Sequence, residues 1–201
     1  MIAVIDYDAG NIRSVEHALS ALGLEAVVTR DADVIRSADK VILPGVGAFG
    51  DAMGKLRDFG LIEVIREVVA AGKPFLGICL GLQLMFDESE ESPGVPGLSL
   101  LKGRIVRIPE GGGRKIPHIG WNDLRFPKES SLFQGVPEGS YVYFVHSYYL
   151  QAEDETVVAA TTEYGPVIHA AVAKDNVYAC QFHPEKSGDV GMTILRNFGA
   201  L

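Results

Sequence analysis

Short apolar runs alternate with amphipathic stretches through the first half of this chain, and that rhythm restricts its possible folds more than any other feature. Ile2 to Asp6 reads as a strand, after which Ile12, Val15, Leu19 and Leu22 recur at helical spacing up to a closing Gly23. The alternation continues through Ala26 to Thr29, Lys40 to Leu43, a helix over Leu61 to Ala71 closed by Gly72, and the run Phe75 to Cys79. A strand that feeds a helix and returns beside its neighbour builds a parallel sheet covered on both faces, so an α/β, doubly wound architecture is expected. Beyond Pro93 the pattern changes. Gly103 to Ile108, Tyr141 to Val145, Val157 to Thr162, Val167 to Ala173 and Val177 to Phe182 read as strands separated by turns, some of them antiparallel.

At 201 residues the chain can bury a core without disulfides or metals, and a single domain over 1–201 is expected. The loop signals at Ser92 to Gly97 and Glu110 to Arg114 are too short for a linker. A net charge of −8, from 26 acidic and 18 basic residues with no block of Lys and Arg, argues against a nucleic-acid partner. The start Met1-Ile2-Ala3-Val4 lacks the basic segment and cleavage site of a signal peptide, and no apolar run is long enough to span a bilayer, so a cytoplasmic protein is expected. Only two cysteines occur, Cys79 and Cys180, and in a reducing compartment a bridge between them would be unusual. His17, His118, His146 and His169 have no second histidine at metal-ligand spacing, so no metal site is expected.

In an open α/β sheet ligands gather beyond the carboxyl ends of the strands, and three such places carry chemistry. Phe75 to Gln83 is a strand followed by Gly77-Ile78-Cys79-Leu80-Gly81 and a helix, the cysteine form of a nucleophile elbow. Glycines relieve the crowding of a sharp turn, and the amide groups and dipole at a helix N-terminus favour a thiolate. Taken alone, the same residues also describe a buried cysteine between two packing glycines. At the second place a strand runs out into His183-Pro184-Glu185, with Cys180 inside it as a core residue. Proline holds its predecessor extended, so His183 and Glu185 are expected to continue a strand-like period and point the same way, a histidine base oriented by a carboxylate. A surface ion pair is the plainer alternative. The third, Val41 to Gly50, is a strand followed by a glycine-rich loop whose amides could meet an oxyanion, with the N–H groups of Gly47 and Leu80 as the expected donors. It has no Gly-Lys-Ser/Thr ending and so does not read as a phosphate loop.

These places, in this order, resemble the class I, triad-type glutamine amidotransferases. The resemblance covers nearly the whole chain and includes Asp6 to Asn11, Pro44 to Gly47, Gly77 to Gln83, Pro117 to Asn122, Tyr143 to Tyr148 and Phe182 to Ser187. Pro117 to Asn122 and Glu185-Lys186-Ser187 bring it closest to those members that serve a cyclase of histidine biosynthesis. It implies a flavodoxin-like fold and a glutaminase in which Cys79 forms a glutamyl thioester, His183 shuttles a proton to the leaving ammonia and Glu185 holds the imidazole. Gln83 and Glu91 would bind glutamine, with backbone around Ser147 and Tyr148 contributing. It implies no cofactor, and a heterodimer with a (β/α)8-barrel cyclase that receives the ammonia. Asn11, Trp121, Tyr143 and Lys186 match positions near that interface, although Trp121 and Tyr143 could equally be core anchors. An amidotransferase subunit of another pathway, a non-catalytic flavodoxin-like binding module and a cysteine hydrolase of similar fold are the alternatives.

Overall fold

The computed structural model describes residues 1–201. Its amino-terminal half runs β1 (Ile2–Ile5), α1 (Ile12–Ala21), β2 (Ala26–Thr29), α2 (Ala32–Ser37), β3 (Lys40–Leu43), α3 (Phe49–Asp58), α4 (Leu61–Ala70), β4 (Phe75–Ile78) and the single turn α5 (Leu80–Leu84). Seven strands form the main sheet in the order β10-β11-β12-β4-β3-β1-β2. Here β10 is Val158–Glu163, β11 Val167–Lys174 and β12 Val177–Cys180. Neighbours from β12 to β2 run parallel, and β11 and β10 extend the edge antiparallel. The expected mixed α/β sheet is therefore present.

Both faces of the sheet are covered, which is why its strands read as unbroken apolar runs. Ala3, Ile5, Val41, Leu43 and Phe75 face a core shared with α2, α3 and α4. Ile2, Val4, Ile42, Leu76 and Ile78 point the other way into a core shared with α1 and the carboxy-terminal α6 (Gly188–Ala200). Two smaller sheets flank this body. One joins β5 (Glu88–Ser89), β6 (Gly103–Arg107) and β9 (Tyr148–Ala152), and the other is the hairpin-like pair β7 (His118–Asp123) and β8 (Tyr141–His146). No helix is long and apolar enough to cross a membrane.

Two details differ from expectation. Strand β12 stops at Cys180, and Pro184–Lys186 form a 3-10 turn, so His183 and Glu185 do not share a strand period. His183 alone is extended (φ −100, ψ 97), as the following proline demands, and the turn then swings Glu185 back toward the ring. The glycine-rich stretch after β3 is a loop only through Ala48, because Phe49 and Gly50 open α3.

The glycines of the elbow serve close packing of backbone on backbone. A Cβ on Gly81 would run into the Leu43 carbonyl at the end of β3, and one on Gly77 would meet the Met85 sulfur at 2.5 Å and the Gly81 carbonyl at 2.8 Å. Gly81→Ala is expected to cost about 3 kcal/mol or more in urea denaturation, since its obstacle is backbone and not a flexible side chain. Gly54→Ala is the control: that glycine lies within α3 with open space around it, and the change should gain about 0.5–1 kcal/mol. Equal behaviour of the two variants would refute the close approach.

Candidate active site

The elbow places Cys79 between the end of β4 and the start of α5 with φ 55 and ψ −108, a region that a residue with a Cβ rarely occupies. Its amide donates to the Cys180 carbonyl at 2.8 Å, and its own carbonyl accepts from Leu82 N at 3.0 Å. The strained residue is thereby fixed to β12 on one side and to its own helix on the other. Its side chain is 6% exposed.

His183 is held just as firmly. Its amide donates to the Tyr143 carbonyl on β8 at 3.0 Å, and its carbonyl accepts from Ser187 Oγ at 2.6 Å. Ser187 Oγ in turn accepts from the Tyr143 amide at 3.0 Å, so β8 and the 3-10 turn are tied together around the ring. Nδ1 of His183 lies 2.7 Å from Glu185 Oε1, and the two side chains are 1% and 0% exposed. The same carboxylate oxygen accepts from Asn11 Nδ2 at 2.5 Å. Asn11 sits at the start of α1 with φ 70 and does not cap its own helix, so its amide is free for Glu185. Nε2 of His183 makes no conventional hydrogen bond. Burial disfavours a charged ring here, but the nearby Cys79 sulfur and the Glu185 carboxylate outweigh it and raise the histidine pKa to about 9. A cysteine beside a histidine whose ring is held by a carboxylate is an arrangement that could supply nucleophile, base and orienting group, with the ring biased toward carrying a proton.

Beside Cys79 lies a cleft of about 350 Å³ whose lining includes Gly47, Leu80, Gln83, Glu91, Ser147 and Tyr148, the six residues expected from the sequence to make oxyanion and substrate contacts. Glu91 Oε2 accepts from the Phe49 amide at 2.8 Å, and Ser92 Oγ from the Gly50 amide at 2.9 Å, so the first turn of α3 anchors the carboxylate at the cleft. Gln83 Nε2 donates to the Tyr148 carbonyl and to Gln181 Oε1, each at 3.1 Å. Its own Oε1 has no partner within the chain. Of the two expected oxyanion donors, Gly47 N–H is unengaged, whereas Leu80 N–H donates to the Gly45 carbonyl at 3.3 Å. Gly45 lies close over the elbow, with no room for a Cβ between Tyr7 and Leu80, and its carbonyl accepts the Leu80 hydrogen bond.

The four residues expected near a partner occur together around the histidine turn. Trp121 and Tyr143 pair directly across β7 and β8, with ring centroids 6.0 Å apart, edge to face. Trp121 is 55% exposed, which excludes a core anchor, and Ile119 and Tyr141 on the same outer face are 59% and 58% exposed. Lys186 is exposed in the 3-10 turn, and Asn11 meets Glu185 beneath it.

Three contributors were not anticipated. Gln181 is fully buried and sends Nε2 toward Cys79 Sγ at 3.8 Å; the signal for it was a polar residue inside the apolar run Val177 to Phe182. Tyr7 is buried and donates to the Pro44 carbonyl at 2.8 Å, securing the loop before Gly47, and burial together with the nearby Cys79 pushes its phenol pKa well up. His118 and His146, whose sequence spacing offers no metal site, meet at 3.0 Å. Cys180 is a fully buried core residue, as expected, and burial raises its thiol pKa. A larger open depression of about 730 Å³ along Phe126 to Gln134 holds neither cysteine nor histidine.

Comparison with known proteins bears on this geometry directly. The profile of the family described as glutamine amidotransferase class-I matches residues 3–200. The imidazole glycerol phosphate synthase subunit HisH of Methanothermobacter thermautotrophicus is 52% identical over 98% of this chain and 97% of its own length. That of Aquifex aeolicus is 54% identical over 97% and 94%. Among solved structures, one described as a glutamine amidotransferase superposes with a TM-score of 0.77 at 24% identity, covering 99% of this chain and 100% of its own. The PurLQS structure from Thermotoga maritima gives 0.76 at 22%, covering 98% and 96%, and both likenesses speak to the fold.

Proposed function

The chain belongs to the class I glutamine amidotransferases, among the HisH subunits of imidazole glycerol phosphate synthase, and we propose that it hydrolyses glutamine at Cys79 and delivers the ammonia to a cyclase partner. The observation that carries the reading is the buried His183–Glu185 pair beside Cys79, which itself lies at the wall of a cleft of about 350 Å³. The Cys79 thiolate attacks the carboxamide carbon, His183 Nε2 gives its proton to the departing ammonia, and a glutamyl thioester remains. Water then adds to the thioester while His183 takes its proton; glutamate leaves and the thiolate returns. Glu185 keeps the ring in the Nδ1–H tautomer throughout and stabilises its charged form. The oxyanion of each tetrahedral state is met by Gly47 N–H, and Leu80 N–H joins once the Gly45 carbonyl yields it. Glu91 supplies a carboxylate for the substrate ammonium, and Gln83 Oε1 with the backbone at Ser147 and Tyr148 supplies the remaining polar contacts. No step calls for a cofactor.

The proposed partner is a (β/α)8-barrel cyclase bound as a heterodimer over Asn11, Trp121, Tyr143 and Lys186. Exposure of Trp121 and Ile119 on β7 and Tyr141 on β8, all on one face of the strand pair, supports a docking surface beside the site. A sealed route makes chemical sense, because ammonia released into neutral water becomes ammonium and stops being a nucleophile. Cytoplasmic residence fits two free thiols, which a reducing compartment preserves. The test is glutamate release from glutamine with and without the cyclase and its nucleotide ligand. Release that rises with the cyclase is the expected result. Release indifferent to it would reassign the partner, and none under any condition would remove the glutaminase reading.

A further inference from the structure

His118 and His146 are buried, lie opposite each other across β7 and β8, and are not used in the chemistry above. Their protons can be assigned from their neighbours. His146 Nδ1 is 2.8 Å from the Tyr148 carbonyl, which can only accept, so Nδ1 carries the proton. In a neutral ring Nε2 is then bare, and it sits 3.0 Å from His118 Nδ1, which must donate. That leaves His118 Nε2 as an acceptor, facing Asn122 Nδ2 at 3.5 Å. The amide of Asn122 is oriented independently, since Nδ2 donates to the Glu163 carbonyl at 2.8 Å and Oδ1 accepts from the Asp123 amide at 3.0 Å. Neutrality is secured by burial, which brings the pKa of His118 down to about 4 and that of His146 to about 3. The His118 ring is further sandwiched between Phe144 at 4.9 Å and Tyr164 at 3.9 Å, with interplanar angles of 20° and 17°.

With all four ring nitrogens engaged, neither histidine has a proton or lone pair to spare for substrate. What the chain of bonds ends on is informative. The Tyr148 carbonyl accepts both from His146 Nδ1 and from Gln83 Nε2, and Gln83 continues through Gln181 to the Cys79 sulfur. We propose that His118 and His146 are positioning residues, a tautomer-locked pair that fixes the Tyr148 carbonyl and Gln83 in the wall of the cleft and thereby sets its affinity for glutamine. The inference rests on the glutaminase reading for its ligand, and on the hydrogen-bond geometry alone for the lock.

The experiment has two parts. Long-range proton–nitrogen correlation spectra of the wild-type imidazoles at pH 7 should show both rings protonated at Nδ1, whereas free neutral histidine in water favours Nε2–H. Glutamine turnover in the presence of the cyclase should then show KM raised about tenfold in His118→Phe, with kcat within about threefold, because the stacked ring survives and only the donor is lost. His118→Asn places an amide nitrogen near the Nδ1 position and should bring KM back to within about threefold of wild type. An Nε2–H tautomer at either ring, or an unchanged KM in His118→Phe, would overturn the proposal. The spectra come from wild-type protein, so the lock is decided even where His118→Phe does not fold. A wild type that hydrolyses no glutamine would sink the glutaminase reading while the spectra still decide the lock.

Discussion

Replacing Cys79 with alanine is expected to lower glutamate release by about 10⁴-fold or more, to the level of binding and oxyanion stabilisation alone, while the protein stays folded. Loss of the sulfur removes the one atom that forms the thioester in the proposed mechanism. Structurally it removes little, because Sγ makes only long contacts, 4.0 Å to the Val145 carbonyl and 3.8 Å from Gln181 Nε2. Cys180 cannot substitute: it lies inside β12, fully buried, with burial holding its thiol protonated. The backbone adds a second, sharper expectation. At φ 55 and ψ −108 any Cβ is strained, so Cys79→Gly should be the more stable of two inactive variants, by about 1 kcal/mol. Thermal denaturation of both, beside a glutamate assay, checks the pair of claims. Turnover in Cys79→Ala within about a hundredfold of wild type would end the nucleophile assignment, and a less stable Cys79→Gly would end the claim of strain.

Much of this was legible before the coordinates because the relevant signals are local. The strand at Lys40–Leu43 and the helix from Leu61 are periodic and flanked by their own stop signals, and the elbow glycines announce a close approach that the structure then locates at Leu43. What escaped depends on contacts between segments far apart in the chain. Helix α3 begins Phe49-Gly50 and carries Gly54, which masked the spacing of Phe49, Met53 and Leu56 that it buries. Strand β7 contains Gly120 and an exposed Trp121, and it is a strand because β8 supplies its partners, not because of its own propensity. The meeting of His118 with His146 follows from that pairing, 28 residues apart, and no spacing rule reaches it. The extended His-Pro-Glu expectation failed for a related reason. Proline constrains the residue before it, but the direction of Glu185 is set by Asn11 and by the hydrogen bond that Ser187 accepts from β8.

Those partners also decide what Glu185→Gln should do. Oε1 accepts from both His183 Nδ1 and Asn11 Nδ2, while Oε2 is buried without a partner. A glutamine that keeps its carbonyl toward the two donors preserves both bonds but buries an unpaired NH₂; the flipped amide sets one donor against two others. Either way the charge that stabilises the imidazolium is gone. We expect kcat to fall by about 10³-fold with KM nearly unchanged, since Glu185 acts through the histidine and not on the substrate. The protonation of His183 should follow. Burial then opposes the charged ring with only Cys79 to offset it, and the NMR titration midpoint should move down from about 9. Stability links to the same shift. A histidine whose folded pKa lies above its unfolded value of 6.5 contributes stability that is fully present below pH 6.5 and is lost as the pH rises through 9. The wild type should therefore exceed Glu185→Gln in stability most clearly at pH 6, with the gap closing between pH 6.5 and 9. A gap that widens over that interval, or a variant with an undiminished kcat, would mean that Glu185 holds the turn together without governing the base.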